Sequence, residues 1–550
     1  MTDSTDLAII GGGLAGCAAA IEAAKYGLQV TLLDKGALGR SGSSCTAGAG
    51  FSFASVGPDG GTLDAAKARH AANTIDAGEN LNIPSLVEAL VEDAPQRVLE
   101  LEQLGVRFPH DDLGHIVVGR APAHDEPRTA SAQGGGAVAM DCLRREVLHR
   151  RVRVLEHVAV ARLFASGGRI VGLYALPAKG ENVYPLAARA VILAAGSATH
   201  LYPYASANYP TTGDAYGLAW PLGLRLANME FNEFTLIPKV GQRVISTPGI
   251  SSLMMAGSHL INSVGERFMP RYDPLRAETT TRARLVQAVA LESLAGRGPI
   301  WNDSMAIPER ARERLLHEDW EILQKLRSAN LDWPVERFEW VPATHLCLGG
   351  LIIDTVGATD LPGLYAVGEA ATGLHGACRL SGNALSECLV FGIRAGRAAA
   401  LYAQAAGPVE IPPKQLADAE RSLRLTSKGA GPAPDEWQRA VRQVAWQHLG
   451  VVRTTSGLRS AQAALDALAQ EQPVWSSRQD LLKALETRNL ILTGRLVAEA
   501  ALLREESRGQ HYRQEHPATL PEWQRWVVLH TDGAGHSDSI GTHLAAVGGN

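Results

Sequence analysis

The sequence predicts an α/β fold in three parts: a parallel-sheet domain, an α+β unit inserted into it, and a C-terminal helical domain. Three observations carry this prediction. Residues 6–34 read as strand, glycine turn, helix and strand. A second strand and glycine turn, residues 364–368, comes far downstream, after the texture changes near Asn228. Residues 416–515 alternate long helical periods with polar breaks.

The 550 residues exceed what one core supports, since domains run to roughly 150 residues. Hydrophobic residues make up 46% and charged residues 20%, the balance of an ordinary folded chain. The net charge is -5 with no long Lys/Arg run, so nucleic acid is not an expected partner. The polar, acidic start lacks the basic opening and longer apolar core of a signal peptide. No stretch reaches the ~18 apolar residues of a membrane span. The six cysteines are scattered without a C-x-x-C pair. No metal or iron–sulfur site is therefore expected within the chain, and reduced thiols in a cytoplasmic protein are.

In chain order, residues 6–10 form a short apolar strand, 13–26 an Ala-rich helix and 29–33 a second strand. Residues 39–61 are Gly/Ser-rich and irregular. Residues 63–104 are mostly helical. Residues 112–136 form a long polar stretch without a period, the kind of loop that usually carries function. A helix follows at 137–149. Residues 152–165 and 170–176 alternate as strands about the Gly167-Gly168 turn. Residues 188–194 form an apolar strand ending at Ala195-Gly196. The expected divisions are a first domain at 1–227, an insert at 228–342, the return of the first domain at 343–403 and the helical domain at 416–515. Residues 516–550, with five glycines, read as a loose tail.

Gly11-Gly12-Gly13-Leu14-Ala15-Gly16 is G-x-G-x-x-G between a strand and a helix. In that context Gly11 permits the tight turn, Gly13 lets backbone approach a pyrophosphate, and Gly16 allows close helix–strand packing. Asp34 ends the second strand, where a carboxylate can accept hydrogen bonds from ribose hydroxyls. The motif alone does not separate NAD from FAD. The later Leu364-Tyr365-Ala366-Val367-Gly368-Glu369 segment does, because in two-dinucleotide flavoproteins it places an acid at the flavin ribityl. Ala194-Ala195-Gly196-Ser197 resembles the landmark beside the adenine half. Three landmarks in this order predict a Rossmann-like FAD-binding domain.

Longer motifs add a resemblance. Gly373-Leu374-His375-Gly376-Ala377-Cys378-Arg379-Leu380-Ser381-Gly382-Asn383-Ala384-Leu385 is similar to H-G-A-N-R-L-x-x-N-S-L of the succinate dehydrogenase and fumarate reductase flavoprotein subunits and of L-aspartate oxidase. Arg488-Asn489-Leu490 and Arg504–Arg513 resemble that family's helical domain. The alpha subunit of adenylylsulfate reductase is also similar. The resemblance implies an inserted α+β capping domain closing over the flavin ring, with substrate between the domains and hydride passing between a substrate carbon and flavin N5. It implies cofactor contacts from Gly11, Gly13, Gly16, Asp34, Lys35, Ser41, Ser43, Gly48, Ala195, Gly196, Asp214, Gly368, Glu369, Arg379, Asn383, Ala384 and Leu385. It implies substrate and catalytic roles for Arg379, for His345 in H-x-x-x-G-G, and for Arg282 after the Gly265-Glu266-Arg267-Phe268-Met269 hallmark. A guanidinium fork suits a carboxylate; an ion pair within the capping domain is the alternative for Arg282.

The departures from the family pattern set further expectations. Arg40-Ser41-Gly42-Ser43 stands where respiratory members have R-S-H-T, so no histidyl link to FAD forms at Gly42 and the cofactor is expected to be non-covalent. Ile250, Ser251 and Met254 stand at the Thr, Glu and Arg positions of T-E-x-x-R-G, and Thr235 at the histidine of F-H-P-T. Partners for a second carboxylate are missing, and a buried charge needs a partner. Succinate, fumarate and L-aspartate are therefore not the expected substrates. One carboxylate or other anion facing Arg379 and His345 is expected, with an apolar far end near Met254 and Met255. Tyr202, Tyr204, Tyr209 and Trp220 read as packing residues, with a place beside flavin or substrate as the alternative. The expected function is that of a FAD-dependent oxidoreductase. The alternatives are the flavoprotein component of a complex with an iron–sulfur partner, or a flavin-binding protein without turnover.

Overall fold

The computed structural model describes residues 3–48, 50–56, 61–120, 124–180, 183–207, 211–245, 250–317, 321–424, 427, 430–531 and 539–549. A seven-stranded sheet organises the first domain. Its order is Arg153–Glu156, Val30–Asp34, Asp3–Ile10, Tyr184–Leu193, Arg169–Pro177 and Val158–Ser166, and Leu364–Ala366 also pairs with Tyr184–Leu193. The first strand runs parallel to its neighbours, with Leu7 opposite Val30 and Ala8 opposite Val191. The downstream strand returns parallel, with Tyr365 opposite Ile192. The inner stretches, residues 7–10, 30–33 and 364–366, are nearly continuous apolar runs and buried, as parallel strands covered on both faces must be. The helices Leu14–Ala23 and Asn383–Ala405 cover one face. They cross closely because Gly392 and Gly396 lie against the carbonyls of Ala15 and Ala19, where an added Cβ would come within 2.5 Å of each oxygen.

The second domain is built on a five-stranded antiparallel sheet. Its central strands are Asn232–Val240 and Glu339–Cys347. The division expected at residue 342 falls inside the latter strand, so this sheet also carries His345. Helix Arg282–Glu292 packs beside it, started by Thr281, whose hydroxyl accepts from the Arg284 N–H.

The C-terminal region contributes helices Pro434–His448, Thr455–Gln470 and Arg478–Leu503. It is pinned by ions rather than by apolar area alone. Arg504 is fully buried and donates to Glu230 Oε1 at 2.7 Å and to Glu506 Oε1 at 2.9 Å. Buried Arg453 reaches the Glu230 carbonyl at 2.7 Å and His511 Nδ1 at 2.8 Å.

The loose tail expected after residue 516 is corrected by the structure. Trp526–His530 and Gly541–Ala545 form an antiparallel pair, and the former joins Leu226–Ala227 in a third sheet. Trp526 is buried, and its indole N–H donates to the Leu81 carbonyl at 2.9 Å. The four apolar residues Trp526-Val527-Val528-Leu529 drive this docking. Gly533 and Gly535 lie outside the described residues.

Candidate active site

The glycine turn is shaped by contact with backbone. Gly11 has φ +109°, and a Cβ there would lie 2.3 Å from the Ala194 carbonyl oxygen. A Cβ on Gly16 would lie 1.9 Å from the Gly11 oxygen, so Gly16 sets the helix against the turn and does not line the cavity. A cavity of 560 Å³ opens along this turn. It runs between the first domain's glycine turns and the second domain, within the size range of cofactor sites.

Of the residues expected at the cofactor, Gly11, Gly13, Asp34, Lys35, Ser41, Ser43, Gly48, Ala195, Gly196, Asp214, Gly368, Glu369, Arg379, Ala384 and Leu385 all line this cavity. Asn383 does not, and is corrected. It is fully buried, with Oδ1 2.8 Å from His70 Nε2 and its amide donating to Thr74 Oγ1 at 2.9 Å. Asn383 therefore ties the long helix to Leu63–Ala77 rather than facing a ligand.

Asp34 lines the cavity and is also held by the protein. Its carboxylate accepts from the N–H groups of Gly12 and Gly36, each at 2.6 Å, and from Ser41 Oγ at 2.8 Å. These three donors fix the turn and leave part of the carboxylate's four-site acceptor capacity unused. Ser41 works with it. Ser43 Oγ is buried with no hydrogen-bond partner among the described residues, and Ser43 lines the cavity. A ligand with polar groups fits that orphan. Lys35 Nζ lies 2.8 Å from Asp214 Oδ2 and 3.0 Å from Glu486 Oε1, and the Asn489 amide reaches Asp214 Oδ1 at 3.0 Å. The helical domain thus braces this end of the cavity.

Glu369, after the returning strand, receives a 2.7 Å hydrogen bond from Ser197 Oγ. Burial pushes its carboxyl up to about 7, against the opposing effect of that hydrogen bond, and neighbouring Glu387 adds to the rise. An acid about half protonated near pH 7 can donate as well as accept.

Arg282, His345 and Arg379 come together on one wall of the cavity. His345 is placed by a bulge. In the ladder Leu346 lies opposite Glu233 and Thr344 opposite Phe234, which leaves His345 as the extra residue. Bulges re-aim side chains and recur beside active sites. Its Nδ1 lies 2.7 Å from Ser206 Oγ. Burial, aided by the positive charge of Arg282, lowers its pKa to about 3. The imidazole is therefore neutral.

Sequence reading missed Glu233, which the structure places between the two arginines. Arg282 Nη1 donates to its Oε1 at 2.9 Å, and Arg379 Nε to its Oε2 at 3.3 Å. The Glu233 side chain is 3% exposed, that of Arg379 6% and that of Arg282 26%. Burial alone would raise the Glu233 pKa, but Arg379 and Arg282 outweigh it and hold it at about 2. Ser206 and Ser44, whose hydroxyl accepts from the Leu14 N–H at 3.1 Å, were also missed.

The expected apolar far end is corrected too. Met254 packs in the core, Met255 is 70% exposed, and neither lines the cavity. The side chains of Ile250 and Ser251 lie outside the described residues. Thr235 is buried away from the cavity. Tyr202 packs edge-on to Phe234 and donates to the Leu449 carbonyl, Tyr204 packs edge-on to Trp446, and Trp220 is core. Tyr209 lies outside the described residues.

Comparison with known proteins agrees with this geometry. Residues 6–385 match the family described as FAD binding domain. Residues 438–536 match the family described as fumarate reductase flavoprotein C-term. Over 543 residues the chain is 32% identical to a subunit of the fumarate reductase (CoM/CoB) of Methanothermobacter marburgensis, covering 95% of this chain and 96% of that protein. It is 31% identical over 543 residues to L-aspartate oxidase of Pseudomonas aeruginosa, covering 95% and 98%. Its fold matches Mycobacterium smegmatis Sdh1, solved in complex with UQ1, with a TM-score of 0.90 at 28% identity, covering 99% of this chain and 94% of that one. The chain is a FAD-dependent oxidoreductase and belongs to the succinate dehydrogenase and fumarate reductase flavoprotein family.

Proposed function

We propose that this enzyme transfers a hydride between its flavin and a small organic anion whose carboxylate is held by Arg379, with His345 and Arg282 beside it. The observation that carries this reading is the convergence of those three side chains on one cavity wall, with Arg282 Nε buried and lacking a hydrogen-bond partner among the described residues. A buried donor of this kind calls for an acceptor. When bound, FAD supplies the hydride acceptor or donor. The protein's own part is to orient the substrate carbon, exclude water and hold the carboxylate. In the tautomer this reading assigns, Nδ1 of neutral His345 accepts from Ser206 Oγ, 2.7 Å away, and Nε2–H is the donor to the substrate.

A dicarboxylate substrate is not part of this proposal. The two arginines at the wall already share Glu233, and a second carboxylate beside them would lack a cation of its own. The test is anaerobic mixing of the holoenzyme with small monocarboxylates and hydroxy or amino acids, following loss of the visible flavin bands. Reduction by a monoanion, weakened about 100-fold in Arg379→Gln, supports the reading. Turnover of succinate, fumarate or L-aspartate as the preferred substrate refutes it.

A second reading has one observation behind it: the Methanothermobacter marburgensis relative is named as one subunit of its enzyme. This chain would then be the flavin half of an assembly, exchanging electrons with an iron–sulfur partner. Native purification that yields one polypeptide without iron rejects that reading.

A further inference from the structure

We propose that Glu233 sets the charge of the anion site, and thereby makes it select singly charged over doubly charged anions. This rests on the reading that Arg379, Arg282 and His345 hold the substrate anion. Two guanidinium groups face the site, and one carboxylate, less than one-twentieth exposed, lies between them at 2.9 and 3.3 Å. His345 contributes no charge. Two further acids stand nearby. Glu369 hydrogen-bonds Ser197, and Glu387 lies 2.8 Å from His375 Nε2. Neither of these forms an ion pair with Arg282 or Arg379 among the described residues.

Within the paired trio of Arg379, Arg282 and Glu233, one positive charge therefore stays uncancelled. A monoanion cancels it. A dianion leaves one negative charge in a cavity with a buried carboxylate close by, and like charges at such range in a protein interior repel strongly. A Glu233 that merely held the arginines in place would support all anions alike. A charge-setting Glu233 discriminates between them by valence.

The test uses the FAD-loaded full-length protein. Propionate and succinate are titrated separately, and binding is read from the shift of the visible flavin bands in wild type, Glu233→Gln and Glu233→Asp. Wild type is expected to bind propionate more tightly than succinate. Glu233→Gln is expected to move the preference towards succinate by on the order of tenfold or more, and Glu233→Asp to keep the wild-type preference. An unchanged ratio in Glu233→Gln overturns the proposal, as does a wild type that prefers succinate. If Glu233→Gln fails to hold FAD, Glu233→Ala supplies the neutral variant, with the same shift expected and an unchanged ratio again overturning the proposal. Failure of both anions to perturb the flavin in wild type sinks the anion-site reading itself, an outcome distinct from an unchanged ratio.

Discussion

The Ser206 hydroxyl and Nδ1 of His345 lie 2.7 Å apart, at the bulge that turns the histidine towards the cavity. The hydroxyl fixes which ring nitrogen faces the substrate. Ser206→Ala is expected to lower kcat by about tenfold while FAD content stays unchanged, because only the tautomer and tilt of His345 are loosened. His345→Gln is expected to cost more than Ser206→Ala in kcat/KM. The two losses should not add in the double variant, since both act through one group. Full additivity in steady-state kinetics would separate the two residues.

His345 takes up a proton only as pH falls towards about 3, through burial and the adjoining Arg282 charge. The kcat/KM profile of wild type is therefore expected to show no limb from this histidine near neutral pH. His345→Gln should have the same profile shape as wild type between pH 6 and 8, at lower amplitude. A limb that vanishes in the variant contradicts a neutral histidine.

Glu369 gives a stability signature. Its carboxyl is raised from 4.5 to about 7, chiefly by burial. The folded chain thus keeps a proton that the unfolded chain loses, so stability falls as pH rises through that window and levels off above it. In FAD-free protein, the stability of wild type relative to Glu369→Gln should drop by up to about 3 kcal/mol between pH 4.5 and pH 7. Thermal melts at both ends of the window measure it. A pH-independent difference contradicts the raised, buried carboxyl.

Gly42 has φ +77° and no side chain to join the flavin. Acid precipitation of the holoenzyme is expected to release all flavin into the supernatant. Fluorescence retained on the denatured polypeptide would contradict non-covalent binding.

Arg504 and Glu230 are both fully buried and paired at 2.7 Å. Arg504→Ala leaves Glu230 and Glu506 charged without their shared partner, which costs about 3–5 kcal/mol. Thermal melting of the holoenzyme should show the loss. Glu230→Gln is expected to cost less, because a neutral amide still accepts from the guanidinium. The opposite order would place the stabilisation elsewhere.

The sequence made legible what depends on local geometry. Gly11 and Gly13 lie between a strand and a helix whose first turn holds Gly16, and a turn there has one workable shape. Arg379 and His345 sit in long motifs, and the structure brings both to the cavity. What escaped reading depends on contacts across the chain. Asn383 follows the same motif, yet its side chain turns to His70 and Thr74, more than 300 residues earlier. The signal for Glu233 was present, as an acid set between Phe231 and Phe234. A carboxylate there must be buried and therefore paired, but its partners lie 49 and 146 residues away. The Trp526–His530 strand was masked by the glycines around it, which outweighed an apolar run too short to show a period.

Anion binding at the arginine wall is tested most directly by a crystal structure of the FAD-loaded enzyme soaked with propionate. The carboxylate is expected within hydrogen-bonding reach of the Arg379 guanidinium and of His345 Nε2, with Glu233 still between Arg379 and Arg282. A carboxylate bound elsewhere, or arginines drawn wholly onto Glu233 with no anion beside them, would contradict that claim.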